Sequence, residues 1–117
     1  MPARRIALLV ATTLFATAAA AETRCGWLQN PTPGNWWLAD AHGQWTLMTQ
    51  GGPEPAGMDA MPDISARDYV RTNGGYGYAC ACLTGAFDAR ARRVTALEKV
   101  SQKRLAACRK DRALPRP

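Results

Sequence analysis

Alternating apolar and polar residues predict several short β-strands in the part of the chain that follows residue 21. The candidate strands cover residues 35–39, 44–49, 69–72, 76–83 and 92–97. In the second of these, Trp45 and Leu47 share one face, while Gln44 and Thr46 share the other. The pattern predicts a mainly β fold, with a small antiparallel sheet of about five short strands.

Glycine and proline positions indicate how these strands are joined. Residues 40–43 read as a hairpin loop, with Gly43 free to adopt a positive φ, and residues 73–75 read as a second tight turn. Residues 50–68 contain many prolines and glycines, which predicts a long surface loop with one short helical turn near residues 65–67. Val94, Leu97, Leu105 and Cys108 also fall on one helical stripe. We expect a strand to about Leu97, and residues 98–108 stay open between strand, helix and irregular chain.

The first 21 residues have the three parts of a signal peptide. A basic start is followed by an apolar stretch too short to span a bilayer, and then by small residues ending at Ala21. We expect cleavage before Glu22, which leaves residues 22–117 as one small domain with residues 112–117 as a tail. The mature protein is expected to be periplasmic or secreted, without a transmembrane segment. That location excludes cytoplasmic nucleic acid as a partner.

Charge divides the mature chain into two unequal parts. The chain has 117 residues and a formal net charge of +6, which becomes +4 once the two leader arginines are removed. Residues 22–89 carry a net charge of −4, whereas residues 90–117 carry +8. A basic end can contact anionic surfaces, but we favour a solvated end that keeps the protein soluble.

Four cysteines, Cys25, Cys80, Cys82 and Cys108, follow the leader and predict two disulfides in an oxidising compartment. A bridge between Cys80 and Cys82 is disfavoured, because residues two apart on a strand lie near the upper distance limit. Two pairings remain open, 25–80 with 82–108 and 25–82 with 80–108. The alternation within residues 76–83 places Cys80 and Cys82 on one face, so both bridges would lie side by side and hold the two chain ends to the sheet.

The aromatic residues are the candidate contact surface, because exposed rings can stack on sugars or bind proteins. The four that we select are Trp36, Trp37, Tyr76 and Tyr78. Trp36 and Trp37 are adjacent and must point to opposite faces of a strand. Candidate partners are therefore an envelope protein or a glycan.

Catalytic and metal-binding patterns are weak. No cofactor motif is present, and the single histidine, His42, reads as a solvated turn residue. One alternative is a small envelope hydrolase whose carboxylates converge in space; the candidates are Asp40, Asp59, Asp63 and Asp68. A second alternative is soft-metal handling; its candidate ligands are His42, Met48, Met58 and Met61, beside free thiols.

Short motifs along nearly the whole mature chain resemble a bacterial domain-of-unknown-function family, number 4087. The matching segments are residues 25–28, 30–33, 35–38, 45–46, 50–52, 69–74, 76–78, 80–83 and 108–111. The resemblance implies a small secreted domain and transfers no activity, cofactor or site residue. The expected function is a non-enzymatic factor of the cell envelope that binds a macromolecule.

Overall fold

Six β-strands and one short helix make up the regular structure in the computed structural model, which describes residues 1–14 and 20–117. The strands are β1 (Glu22–Thr32), β2 (Asn35–Asp40), β3 (Gly43–Met48), β4 (Tyr69–Asn73), β5 (Tyr76–Asp88) and β6 (Arg93–Lys103), and the helix is α1 (Leu105–Lys110). The predicted mainly β fold with two disulfides is confirmed. Residues 98–108, which the sequence left open, continue β6 to Lys103 and then enter α1.

The predicted leader, residues 1–21, is only partly described, since residues 15–19 lie outside the described residues. Residues 1–14 form neither helix nor strand. β1 begins at Glu22, the residue that follows the expected cleavage position. No helix within residues 1–14 and 20–117 is long and apolar enough to cross a membrane.

Strand pairing closes five of the strands into a ring. β1 pairs with β2, β2 with β3, β3 with β6, β6 with β5, and β5 pairs back with β1. All pairs are antiparallel except β3 with β6, which meet in parallel only at Thr46 and Arg93. The direct pairing of β3 with β6 is therefore short, and Ala56 of the loop that follows β3 extends it by pairing in parallel with Ala96 on β6.

β4 lies outside the ring and shares one edge of β5 with β6. β4 pairs with β5 over residues 76–79, and β6 takes over the same edge from Cys80 onward. The tight turn predicted at residues 73–75 joins β4 to β5, and Gly74 adopts a φ of 58° there. Only the turn end of the β4–β5 hairpin therefore projects beyond the last β1–β5 pair, Asn30 with Gly77.

The interior of the ring is filled by apolar side chains from its five strands. The fully buried members include Leu28, Leu38, Trp45, Leu47 and Leu83. On β5 the small residues predicted to face a close neighbour are buried inside, as Ala79 and Ala81 show. Close approach of the strands explains these small residues, because a larger side chain would collide with the facing strand.

The long loop between β3 and β4 covers the end of the ring from which the β4–β5 hairpin projects. It contains two short 3₁₀ turns, Met58–Ala60 and Ile64–Ala66, the second of which matches the helical turn predicted near residues 65–67. Ile64 is buried against the ring interior. The side-chain amide of Gln102 on β6 donates hydrogen bonds to the carbonyl oxygens of Ile64, Arg67 and Asp68, which holds the loop in place.

Candidate functional site

Two disulfides lie on the outer face of β5. Cys25 bonds to Cys82, its direct partner across the β1–β5 pair, with their Cα atoms 4.0 Å apart. Cys80 bonds to Cys108 on α1, with their Cα atoms 5.7 Å apart. This is one of the two pairings that the sequence left open. No free thiol remains among the described residues, so the cysteines have no thiolate to offer as nucleophile or metal ligand.

Tyr78 is enclosed in a small cluster beside the second disulfide. Its ring packs edge-on against Trp27 with the centroids 5.3 Å apart, and Cys80 and Cys108 complete the cluster. The Trp27 indole N–H donates a hydrogen bond to the carbonyl oxygen of Pro115 at 3.0 Å. The last residues of the chain therefore lie over Trp27, and this face of β5 is covered rather than open.

A buried charged cluster closes the ring at the end where the β2–β3 hairpin turns. The Asp40 carboxylate is only 5% exposed and accepts hydrogen bonds from the guanidinium of Arg24, the indole of Trp45 and the backbone N–H of His42. The guanidinium carbons of Arg24 and Arg92 lie 4.3 and 4.1 Å from the Trp45 ring centroid. Both carboxylate oxygens of Asp40 therefore accept hydrogen bonds that stabilise the fold.

A groove opens at the other end of the ring, between the ends of β2 and β3, the long loop and the β4–β5 hairpin. We call it the end groove, and its volume is about 770 Å³. Trp36, Tyr69 and Tyr76 supply its aromatic surface. The Tyr69 hydroxyl donates a hydrogen bond to the carbonyl oxygen of Gly75 at 3.1 Å, and partial burial raises the pKa of that phenol.

The end groove also has thioether and acidic lining residues. Three methionines and three acidic residues line it; they are Met48, Met58 and Met61, and Glu54, Asp59 and Asp63. The Asp63 carboxylate accepts hydrogen bonds from the hydroxyl and the backbone N–H of Ser65 at 2.6 and 3.0 Å. These bonds hold the pKa of Asp63 below its ordinary value of 3.8, so it stays ionised at neutral pH.

The four aromatic residues of the predicted contact surface do not share one place. Trp36 and Tyr76 line the end groove, whereas Trp37 and Tyr78 are not among its lining residues. Trp37 alternates with Trp36 along β2 and points to the opposite face. Tyr69, which the sequence did not single out, joins the first pair because the β4–β5 hairpin brings it there.

The carboxylates proposed for a hydrolase are likewise divided. Asp59 and Asp63 line the end groove, but Asp40 lies four residues beyond Trp36 on β2, about 13 Å along the strand. Asp68 borders a separate depression with Arg67 and Gln102. Catalytic carboxylate pairs lie roughly 5–10 Å apart, so Asp40 and the groove carboxylates do not form one such pair.

Sequence reasoning gave no role to Glu54, or to Arg24 as the partner of Asp40. Glu54 lies in a proline- and glycine-rich segment, which has no helical or strand periodicity from which the orientation of a side chain could be predicted. Arg24 and Asp40 come together only because β1 and β2 pair. The predicted turn residue His42 is exposed, as expected. No group of three or more His, Cys, Asp and Glu side chains within residues 1–14 and 20–117 is arranged to hold a metal ion.

Comparison with known proteins identifies a family but no characterised relative. A family described as "Protein of unknown function (DUF4087)" matches residues 19–115, which is most of the chain. No curated protein and no solved structure matches. The match spans both disulfides, the ring and the end groove, and agrees with the resemblance seen in the sequence motifs. The chain therefore belongs to the DUF4087 family.

Proposed function

We propose that this chain is a non-enzymatic binding module whose end groove receives a segment of a partner protein that presents basic and apolar side chains. The single observation that carries the proposal is the composition of the groove. Aromatic rings and thioethers form an apolar surface beside three carboxylates, and no lysine or arginine is among the described residues that line it. Such a surface is complementary to a cationic, amphipathic segment.

The apolar part of the groove is suited to anchor side chains. Trp36, Met58 and Met61 are only partly buried, because they pack against the ring interior on one side and face the groove on the other. Aromatic residues and methionine are enriched at protein-binding surfaces, where methionine adapts its shape to different partners. The apolar lining would therefore contribute affinity through burial of the anchors.

The acidic part of the groove favours cationic residues. Asp59 is exposed, and Asp63 stays ionised because Ser65 donates two hydrogen bonds to it. Glu54 is exposed on the same loop. Arg71 lies near Asp63 and Tyr69, but the three carboxylates outnumber it. The net negative charge beside the apolar anchor site would steer the approach of a partner and select its sequence more than it adds affinity.

The proposed role includes an extracytoplasmic location. Two disulfides in a chain of this size are consistent with an oxidising compartment. We propose that the first 21 residues are removed as a signal peptide and that the mature protein acts in a periplasm or outside the cell. Its partner would then be another envelope protein, and a glycan is the competing class that the experiment below separates.

A hydrolase is less well supported by the same site. Asp63 has a lowered pKa and its carboxylate caps the 3₁₀ turn that begins at Ile64. A general acid needs a raised pKa to hold its proton near neutral pH. Asp63 therefore suits electrostatic attraction better than the role of a general acid.

Selection from a library of random short peptides tests the proposal directly. The purified chain should enrich peptides that combine lysine or arginine with apolar residues, and binding should weaken as salt is added. Trp36→Ala should abolish capture of the enriched peptides. Trp37→Ala is the matched control, because it removes the same side chain from the neighbouring position on the opposite face.

Charge variants make the test independent of folding. Asp59→Asn changes an exposed side chain in the groove and should weaken binding of the cationic peptides while leaving the melting temperature unchanged. Enrichment of peptides without basic residues would refute the proposed partner class. Equal binding by the Trp36→Ala and Trp37→Ala variants would refute the end groove as the site, and binding to a glycan array alone would replace a protein partner with a sugar.

A further inference from the structure

Every methionine after the initiating residue lies in the end groove. The chain has four methionines, of which Met1 starts the leader, and Met48, Met58 and Met61 all line the groove. They come from different parts of the chain, the end of β3 and the long loop. The fold therefore gathers all three remaining thioethers at one place.

The local structure explains how the three methionines reach the groove. Met58 begins a 3₁₀ turn and Met61 follows it, and the backbone N–H of Met61 donates to the carbonyl oxygen of Met58 at 3.1 Å. Side chains three residues apart in such a turn lie on the same side. Met48 pairs across the β2–β3 hairpin with Trp36, which also borders the groove.

Met58 and Met61 pack against the ring interior, but apolar packing alone does not require methionine at these positions. The buried interior of the ring uses leucine, at positions that include Leu28, Leu38 and Leu47, and contains no methionine among the described residues. The three groove methionines are instead half-buried. Leucine has a similar volume and would cover the same apolar area of the groove. What methionine adds at these three positions is a thioether sulfur.

We propose that Met48, Met58 and Met61 bind a soft monovalent cation, copper(I) or silver(I), in the end groove. Thioether sulfur is a soft, uncharged ligand that selects such ions over magnesium, calcium and zinc. Asp59 lies between two of the ligands in sequence and borders the groove, so its negative charge favours a bound cation. The site needs no thiol, which agrees with the oxidation of all four cysteines.

Methyl-labelled methionine provides a direct measurement on the mature protein, which lacks residues 1–21 under the proposal above. With the methionine methyl groups enriched in ¹³C, three NMR signals are expected, one each for Met48, Met58 and Met61. One equivalent of silver(I) in halide-free buffer should shift all three signals. Free methionine added to the same sample is the control, and its methyl signal should stay in place. Zinc(II) at the same concentration should leave every signal unchanged.

Substitution by leucine separates the sulfur ligand from the apolar side chain. Met58→Leu and Met61→Leu should each weaken silver(I) binding by roughly tenfold or more, equivalent to about 1.4 kcal/mol. The same order should hold for copper(I) measured by competition with a chromogenic chelator under an anaerobic reductant. Both variants keep the volume and polarity of the groove, so their melting temperatures should stay close to that of the parent chain.

The two proposals for the groove fail independently of each other. Leucine variants should still capture the cationic peptides, whereas Asp59→Asn should weaken peptide binding and keep silver(I) bound through the thioethers. If silver(I) leaves the three groove signals unmoved, or if the leucine variants bind it as tightly as the parent chain, the metal site is refuted. A result in which free methionine shifts as much as the three groove signals indicates unspecific thioether binding and refutes the site equally.

Discussion

Removing the Asp40 carboxylate should destabilise the fold more than any change in the end groove. Asp40 is 5% exposed, and its oxygens accept from Arg24 at 3.3 Å, from the Trp45 indole at 3.1 Å and from the His42 backbone at 2.8 Å. Asp40→Ala leaves the guanidinium of Arg24 without its buried partner and two further donors without an acceptor. These are losses that the alanine side chain cannot replace.

The expected loss follows from the burial of the pair. Breaking a buried ion pair by removing one partner costs about 3–5 kcal/mol. The side chain of Arg24 is 23% exposed and also contacts Glu22 at 2.9 Å, so part of its charge remains satisfied. We therefore expect the free energy of unfolding to fall by about 3 kcal/mol. For a domain of this size the melting temperature should drop by about 12–24 °C.

Urea unfolding followed by tryptophan fluorescence provides the assay. The urea midpoint should fall, while the slope of the unfolding free energy against urea concentration stays constant. A constant slope shows that the variant changes stability and not the surface exposed on unfolding. Asp40→Asn keeps one acceptor oxygen and should lose roughly 1.5 kcal/mol, about half as much. The double variant Arg24→Met with Asp40→Ala should recover part of the loss, because no unpaired charge remains. A loss below about 1 kcal/mol for Asp40→Ala, with an unchanged slope, would refute the reasoning.

Three further predictions concern other parts of the fold. Gly85→Ala should destabilise the chain severely or prevent folding, because the new Cβ would collide with the Ala96 carbonyl oxygen on the paired strand. Urea unfolding, or loss of soluble protein, would show this effect. Replacing both Cys80 and Cys108 by serine opens a loop of 28 residues and should lower the free energy of unfolding by about 3.6 kcal/mol in calorimetry or urea titration. Burial raises the pKa of the Tyr69 phenol above its ordinary value of 10.0. The stability that the neutral phenol contributes is therefore complete below pH 10 and is lost as the pH rises through the raised pKa. Urea midpoints of the parent chain should fall across that pH range relative to those of Tyr69→Phe, and equal pH dependence of the two proteins would contradict the reasoning.

Local patterns were sufficient to predict most of the strands. The alternation around Cys80 and Cys82 placed both on one face, and the structure confirms two bridges on the outer face of β5. The choice between the two pairings depended on the register of β1 against β5. That register places Cys25 opposite Cys82, and contacts between strands far apart in sequence leave no local signal.

The end of the chain was ambiguous for a physical reason. β6 contains two bulges, in which Thr95 and Glu98 have no direct partner on β5. A bulge adds one residue to a strand and so changes the spacing of its buried positions. Val94 and Leu97 are consequently three residues apart and both buried inside the ring. That spacing imitates a helix, although the segment is a strand.

The end groove could be predicted only in part. Trp36 and Tyr76 were expected to lie on a contact surface, and both border the groove. Glu54 and Tyr69 were not expected, because an irregular loop and a hairpin from another part of the chain bring them there. A site made from loops depends on where the ends of distant strands meet, which a strand-by-strand reading of the sequence does not contain.

The pairing of β1 with β5 has a consequence for the order in which the chain can fold. One edge of β1 pairs with β5, whose residues lie about 57 positions later in the chain, as the Cys25–Cys82 bridge shows. Bringing such distant segments together is slow, because loop closure precedes any gain from contacts. On that side β1 therefore has no partner strand until the chain has been synthesised as far as β5, and the long β1–β5 seam forms late in the growth of the chain.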